Sequence, residues 1–177
     1  MSHNLRLAEF EDTQEISQLI KLSARKLGGE FYDKKTIELA LQGAFGVDTQ
    51  LIKDHTYFVI ESGNTIVACG GWSYRKTLFG SDSNNIRNPE KLNPENEAAK
   101  IRAFFIHPEY ARQGLGNLLL EECEKQAKHQ GFLQCQLMST LSGIDFYQKN
   151  GYQGEEYINH NMDKANQIKF LPMSKHL

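Results

Sequence analysis

The sequence predicts an α/β (α+β) fold, and we expect residues 1–177 to form a single domain. Apolar residues recur at helical spacing in some segments and alternate with period two in others, and glycine or proline separates the two kinds of segment. The chain has 177 residues, of which 40% are hydrophobic, so it is long enough for one well-buried core and short for two ordinary domains. The predicted order of elements is β-α-α-β-β-β-α-β-α-β-β.

Local patterns justify each element of this order. The clearest helix carries a stripe of apolar residues, spaced by four, from Leu115 to Ala127. The strand before it ends at Pro108, because proline cannot donate a hydrogen bond to a sheet. A polar stretch rich in Asn and Pro over 76–97 shows little periodicity and predicts a long loop, which is a candidate cover for a binding site. In chain order we expect a strand at 4–8, helices at 16–27 and 33–44, strands at 56–61, 65–73 and 98–106, a helix from 115 until Gly131, a strand at 132–138, a short helix before Gly151, and strands at 155–160 and 167–173.

Composition excludes several classes of function. The net charge is -2 and the 20 basic residues are scattered along the chain, which argues against a nucleic-acid partner. No stretch approaches the ~18 apolar residues of a membrane helix, and residues 1–4 lack the pattern of a secretion signal, so we expect a cytoplasmic protein without a membrane partner. Cys69, Cys123 and Cys135 have no metal-ligand spacing, and we interpret them as reduced, packed thiols with no metal site.

A glycine-containing loop over 108–117 carries the first candidate chemistry. Gly114 and Gly116 lie between a predicted strand and a predicted helix, where free main-chain amides at the positive end of the helix dipole suit an oxyanion. Arg112 can add charge-assisted hydrogen bonds to phosphate, although it also fits an ordinary solvated arginine. By spacing alone the loop equally fits a simple glycine-containing turn. A P-loop is excluded because Asn117, and not Lys followed by Ser or Thr, follows the last glycine, and the dinucleotide motif lacks its third glycine.

Two blocks of residues, taken together, carry a family resemblance. The run Phe104–Tyr110, followed by Arg112–Gly116, resembles the acetyl-CoA motif of the GNAT N-acetyltransferase superfamily. The run Phe146–Tyr152, about 30 residues downstream, is similar to that superfamily's F-Y-x-x-x-G-F/Y element. The predicted order of strands and helices also resembles the family's fold over the whole chain. The runs 69–72 and 101–105 further resemble a bacterial subgroup of unassigned substrate.

The resemblance implies a fold, a cosubstrate and roles for individual residues. It implies a mixed, mostly antiparallel sheet of six to seven strands flanked by four helices, with acetyl-CoA as the acyl donor and no metal. Main-chain groups of Phe104, Phe105 and Ile106 would pair with the pantetheine arm as an added strand does. Tyr147 would protonate the leaving thiolate, whereas its residue pattern alone favours core packing beside Phe146. The pyrophosphate would be held by the amides of Arg112, Gln113, Gly114, Leu115, Gly116 and Asn117.

The acceptor half of the site is less defined. Many relatives have a glutamate two residues before the Phe104 position, and this chain has Arg102 there. Arg102 fits either the binding of an acceptor carboxylate or a structural ion pair, because guanidinium pairs with carboxylates in both settings. Glu30, Asp54 and His55 are candidate general bases near segment ends, and Glu30 and His55 are also candidate acceptor-binding residues.

Two functions from different classes therefore remain open. In the first, the protein is an N-acetyltransferase that moves an acetyl group from acetyl-CoA directly to a primary amine of a small molecule or peptide. In the second, it binds acyl-CoA without turnover, as a sensor or assembly module. The sequence leaves open the acceptor, the length of the acyl group and the oligomeric state, with a homodimer among the alternatives.

Overall fold

A computed structural model describes residues 3–84 and 87–177, so Met1, Ser2 and residues 85–86 of the predicted loop lie outside it. In this part of the chain, seven strands form one sheet in the order β1-β2-β3-β4-β5-β7-β6. All neighbouring strands pair antiparallel except β4 and β5, which are parallel. The strands are β1 His3–Leu7, β2 Tyr57–Ser62, β3 Thr65–Ser73, β4 Ala99–Ile106, β5 Gln134–Thr140, β6 Ile158–Asn161 and β7 Gln167–His176.

Helices cover both faces of this sheet. The stripe predicted from Leu115 to Ala127 is buried against one face, together with Tyr147 and Phe132. The opposite face is covered by the first two helices, whose buried residues include Ile16 and Ile37. Burying a side chain of this size stabilises the fold by about 1.5–3 kcal/mol. The helices are α1 Thr13–Lys26, α2 Lys34–Ala40, α3 Thr49–Lys53, α4 Leu115–His129 and α5 Ile144–Lys149.

The mixed, mostly antiparallel sheet of the prediction is confirmed, but the number and length of the helices differ. The five-residue helix α3 was not predicted, because Leu51 and Ile52 are its only buried positions and it is too short to show a helical period. Helix α2 ends at Ala40 instead of continuing to residue 44, and the chain then turns. Asp48 caps α3 by accepting a hydrogen bond from the Gln50 amide at 3.1 Å.

Strands β4 and β5 pair at one end and separate at the other. Their aligned residues are Ala99 with Cys135 and Lys100 with Gln136, and no further pair follows toward the carboxyl ends of the two strands in the described structure. On its other side, β4 carries a bulge. Cys69 aligns with Phe105 while Gly71 aligns with Arg102, so β4 has one extra residue there. The sheet therefore opens a gap beside the last residues of β4.

The described part of the predicted 76–97 loop is held in place by hydrogen bonds. Its two ends run side by side, with Thr77 N donating to Asn88 O at 3.1 Å. Its middle is attached to the chain before α3, since Ser81 N donates to Gly43 O at 2.9 Å. The described part of this segment is therefore held against the face of the sheet that α1 and α2 also occupy.

Candidate functional site

The loop before α4 has the geometry expected of an anion site. Gly114 has φ 85°, a left-handed conformation that favours glycine, and a Cβ built on it would meet nothing within 4 Å. The first helical hydrogen bond runs from Leu118 N to Gly114 O, so the amides of Leu115, Gly116 and Asn117 have no partner within the helix. The backbone beside Gly114 is thus open to a ligand at the positive end of a 15-residue helix.

Gly116 is restricted to glycine by side-chain packing and not by a left-handed backbone conformation. A Cβ at this position would lie 3.1 Å from the ring of Phe146, so α4 and α5 approach each other closely here. The Asn150 side chain also donates to Asn117 Oδ1 at 3.1 Å across the same contact. The two sequence blocks that carry the family resemblance therefore touch each other in the folded protein.

The end of β4 is shaped by the bulge. Ala103 has φ 55°, which is uncommon for a residue with a Cβ. Its carbonyl oxygen accepts from Tyr57 Oη at 3.5 Å and from Cys69 Sγ at 3.7 Å. Beyond the bulge, Phe104, Phe105 and Ile106 border the gap between β4 and β5 and are half-buried. Pairing of their main chain with the pantetheine arm stays a prediction.

Tyr147 lies beside this gap on α5. It is buried, and its ring centroid is 4.9 Å from that of Phe146 and 6.3 Å from that of Phe104. Gly70 makes room for Phe104, because a Cβ on Gly70 would lie 2.6 Å from the Phe104 ring. Burial raises the pKa of Tyr147 well above its ordinary value, so the phenol keeps its proton at neutral pH.

The candidate bases lie at different ends of the site. Glu30 is exposed on the turn Gly28–Glu30, which contacts the turn Leu141–Gly143 directly before α5. Tyr32 fixes this arrangement, since its hydroxyl donates to Lys169 O at 2.7 Å and accepts from Leu141 N at 2.9 Å. Glu30 therefore lies near the open end of the gap between β4 and β5, and its role as a base stays a prediction.

Asp54 and His55 lie toward the paired end of β4. Both directly precede Thr56, whose carbonyl accepts a hydrogen bond from Trp72 N at 3.0 Å. The residue after Trp72 in β3 is Ser73, which aligns with Lys100 near the start of β4. The Asp54 carboxylate is already bound by Arg75 at 2.6 and 2.8 Å. That ion pair holds the pKa of Asp54 below its ordinary value, although burial alone would raise it. His55 is exposed and has φ 56°. Neither Asp54 nor His55 lies at the open end of the gap between β4 and β5.

Arg102 forms a buried ion pair. Its Nη2 lies 2.7 Å from Asp48 Oδ2, and the two side chains are 3% and 0% exposed. The same guanidinium donates to Thr77 O at 3.3 Å and to Gly80 O at 2.6 Å. Of the two alternatives for Arg102, the structure shows the ion pair. Binding of an acceptor carboxylate would require this pair to open, and stays a prediction.

The sequence analysis missed Asp48 and Tyr57. Asp48 pairs with both Arg102 and Arg87, and Tyr57 contacts the bulge of β4. The Asp48–Thr49–Gln50 run resembles a helix cap and was the one available local signal for Asp48. No local pattern in the sequence pointed to Tyr57, because Ala103, whose carbonyl oxygen it contacts, is 46 residues away.

Across 3–84 and 87–177, no three or more His, Cys, Asp or Glu residues are grouped so that they could hold a metal ion. Over the same residues, no helix is both long enough and apolar enough to cross a membrane.

Comparison with known proteins agrees with this geometry. The family model described as the acetyltransferase (GNAT) domain matches residues 53–154, which is more than half of the chain. A spermidine N(1)-acetyltransferase of Thermoplasma acidophilum is 36% identical over 61 residues, which cover 33% of this chain and only 38% of that protein.

Solved structures match over nearly the whole length. The PaiA N-acetyltransferase of Thermoplasma acidophilum in complex with coenzyme A superimposes with a TM-score of 0.67 and 18% identity, over 100% of both chains. A GCN5-related N-acetyltransferase of Rhodopseudomonas palustris superimposes with a TM-score of 0.72 and 16% identity, over 100% of this chain and 97% of the other. At these identities the likeness supports the fold. Together with the family model, it establishes that the chain belongs to the GNAT family of acetyltransferases.

Proposed function

We propose that this protein transfers an acetyl group from acetyl-CoA to a primary amine of a small molecule or peptide, by direct transfer with Tyr147 as the general acid. The observation that carries the proposal is the joint placement of three parts around one gap. These are the open amides before α4, the main chain of β4 after the bulge, and the buried phenol of Tyr147. The coenzyme A complex of the PaiA relative, which has the same fold, supports the cosubstrate.

In this proposal the protein binds, orients and supplies a proton. Amides from Arg112 to Asn117 hold the pyrophosphate, and the main chain of Phe104–Ile106 aligns the pantetheine arm. When bound, acetyl-CoA supplies a thioester carbonyl carbon that a neutral amine can attack, with release of the coenzyme A thiolate. Tyr147 then gives its phenolic proton to that thiolate, and the proton lost by the amine returns through water or a base such as Glu30 to the Tyr147 oxygen, which restores the phenol.

The test of the acid role is Tyr147→Phe, which removes one oxygen atom. We expect kcat to fall on the order of 10²-fold, while the Kd for coenzyme A changes by less than about twofold. The matched control is Tyr157→Phe, since Tyr157 is 54% exposed and away from the gap. Thiol release with a panel of amines measures kcat, and titration calorimetry measures Kd. Unchanged kcat in Tyr147→Phe would remove the acid role from this residue.

The same assay tests whether the protein is an enzyme at all. Thiol release above the hydrolysis background with any amine supports the transferase. Tight coenzyme A binding with no thiol release across amino acids, polyamines, aminoglycosides and peptides would contradict it and favour a non-catalytic acyl-CoA-binding module. A cytoplasmic location remains a prediction from the sequence.

A further inference from the structure

The end of β4 has a different environment on each face of the sheet. On one face of the sheet, α4 and α5 bury Tyr147 and Phe146 against the strands. On the other face, Phe105 of β4 belongs to a cluster that also contains residues of α1, α2, the chain before α3, the 76–97 segment and β7. An acceptor that approaches the acyl group from the side opposite Tyr147 therefore meets this second surface first.

That surface is a row of five rings, which we call the aromatic row: Phe45, Phe79, Phe105, His160 and Phe170. Phe45 joins β4 to β7, because its ring centroid is 5.9 Å from that of Phe105 and 6.4 Å from that of Phe170. Phe79 continues the row, with its centroid 5.5 Å from Phe170 and 4.8 Å from His160. Such distances and the tilted or edge-on ring planes are those of favourable aromatic contacts.

The row is only partly covered. Phe45 and Phe170 are buried, whereas Phe79, Phe105 and His160 are partly accessible to solvent. The partly accessible residues thus begin at Phe105, within the strand that borders the gap, and continue with Phe79 and His160. An apolar ring placed there would extend a series of contacts that the protein already makes.

One carboxylate near the row, that of Asp48, is already neutralised. Asp48 lies three residues after Phe45, and its carboxylate is paired with Arg87 at 2.8 Å and with Arg102 at 2.7 Å. It is therefore not available to a cationic ligand. Burial lowers the pKa of His160, so this ring is neutral at pH 7. A polyamine would bring a second ammonium group to an apolar surface, and a charge buried without a partner is costly.

We propose that the acceptor carries its primary amine on an apolar, ring-bearing body that lies against the aromatic row while the amine reaches the end of β4. This inference rests on the proposed acetyltransferase function and names its substrate class. Phe79 is the specificity-determining residue, because it is the accessible ring that the fixed 76–97 segment contributes.

The test compares two amines, 2-phenylethylamine and spermidine, by titration calorimetry with the coenzyme A-saturated protein. We expect 2-phenylethylamine to bind at least about tenfold more tightly than spermidine, and Phe79→Ala to weaken its binding by about two- to tenfold, since one aromatic contact contributes about 0.5–1.5 kcal/mol. Phe10→Ala is the matched control, because Phe10 is 50% exposed before α1, and it should leave both affinities unchanged. Phe79→Leu keeps the apolar volume, so it should fold if Phe79→Ala does not and should still lose most of the ring preference.

Each result decides the inference. Tighter binding of spermidine, or an unchanged affinity for 2-phenylethylamine in both Phe79 variants, would overturn it. Binding is measured without turnover, so a failure of the proposed function is recognised separately. In that case neither amine gives thiol release, while the calorimetric preference still supports or overturns the aromatic row as the ligand surface.

Discussion

At the scale of single residues, Arg102 illustrates how burial changes the role of a charged side chain. Its guanidinium is 3% exposed and binds Asp48 and two carbonyl oxygens of the 76–97 segment. Burial lowers the pKa of Arg102, and the negative charge of Asp48 opposes that change. The pair thus holds the covering segment to β4, and its charges are compensated within the protein.

We predict that Arg102→Met destabilises the fold by about 3 kcal/mol, because it leaves the buried carboxylate of Asp48 with Arg87 as its remaining cation. Urea denaturation measures the change in the free energy of unfolding. Arg25→Met is the matched control, since the Arg25–Glu38 pair is 51% and 41% exposed and its loss should change the stability much less. A loss in Arg102→Met no larger than in Arg25→Met would contradict the structural role of the pair.

At the scale of the element, β4 combines two functions in eight residues. Its first part pairs with β3 and β5, and its last part turns main-chain groups toward the gap. The change occurs at Ala103, where φ is 55°. Tyr57 and Cys69 contact the carbonyl of Ala103, and they keep the bulge in one conformation.

We predict that Ala103→Val destabilises the protein by about 2 kcal/mol, because a β-branched residue is strained at positive φ. The Kd for coenzyme A should also rise, since Phe104–Ile106 follow directly. Ala103→Gly is the control at the same position: it relieves the strain and should leave both properties close to wild type. Thermal unfolding and titration calorimetry measure the two effects. If Ala103→Val were as stable as Ala103→Gly and bound coenzyme A equally well, the positive φ at this position would not restrict the residue there.

At the scale of the whole molecule, several groups that ionise at alkaline pH are buried as neutral species. Burial raises the pKa of Cys69 and of Cys135 from 9.0 to about 12, and that of Tyr32 from 10.0 to about 12. As the pH rises above about 9, the unfolded chain releases these protons while the folded protein retains them. The stability that these groups contribute is complete below pH 9 and is lost toward pH 12.

We predict that the free energy of unfolding is level between pH 7 and 8 and falls by at least about 1 kcal/mol by pH 10.5. Urea denaturation at each pH measures it. A Cys69→Ala, Cys135→Ala double variant should be less stable at pH 7 but should lose less stability on going to pH 10.5. An equal loss in the variant and the wild type would show that the two thiols are not responsible.

Local residue patterns determined most of the secondary structure and half of the site. The stripe of α4, the β2–β3 hairpin and the strand ending at Pro108 were predicted because their signals are contained within about ten consecutive residues. The glycine loop was a candidate anion site for the same reason, although by spacing alone it equally fitted a simple turn. Helix α3 was missed because five residues are too few to show a period.

The remaining half of the site depends on contacts between residues far apart in the chain. The proximity of Glu30 to α5, the distance of Asp54 and His55 from the gap, and the burial of Arg102 with Asp48 follow from strand order and register. The sequence by itself determined the family pattern and the loop before α4, since both are written in neighbouring residues. Only the tertiary structure decided that Gly116 serves the contact with Phe146, that Arg102 is an internal ion pair and that Phe45 lies between Phe105 of β4 and Phe170 of β7, because a three-dimensional neighbourhood leaves no local pattern in the sequence.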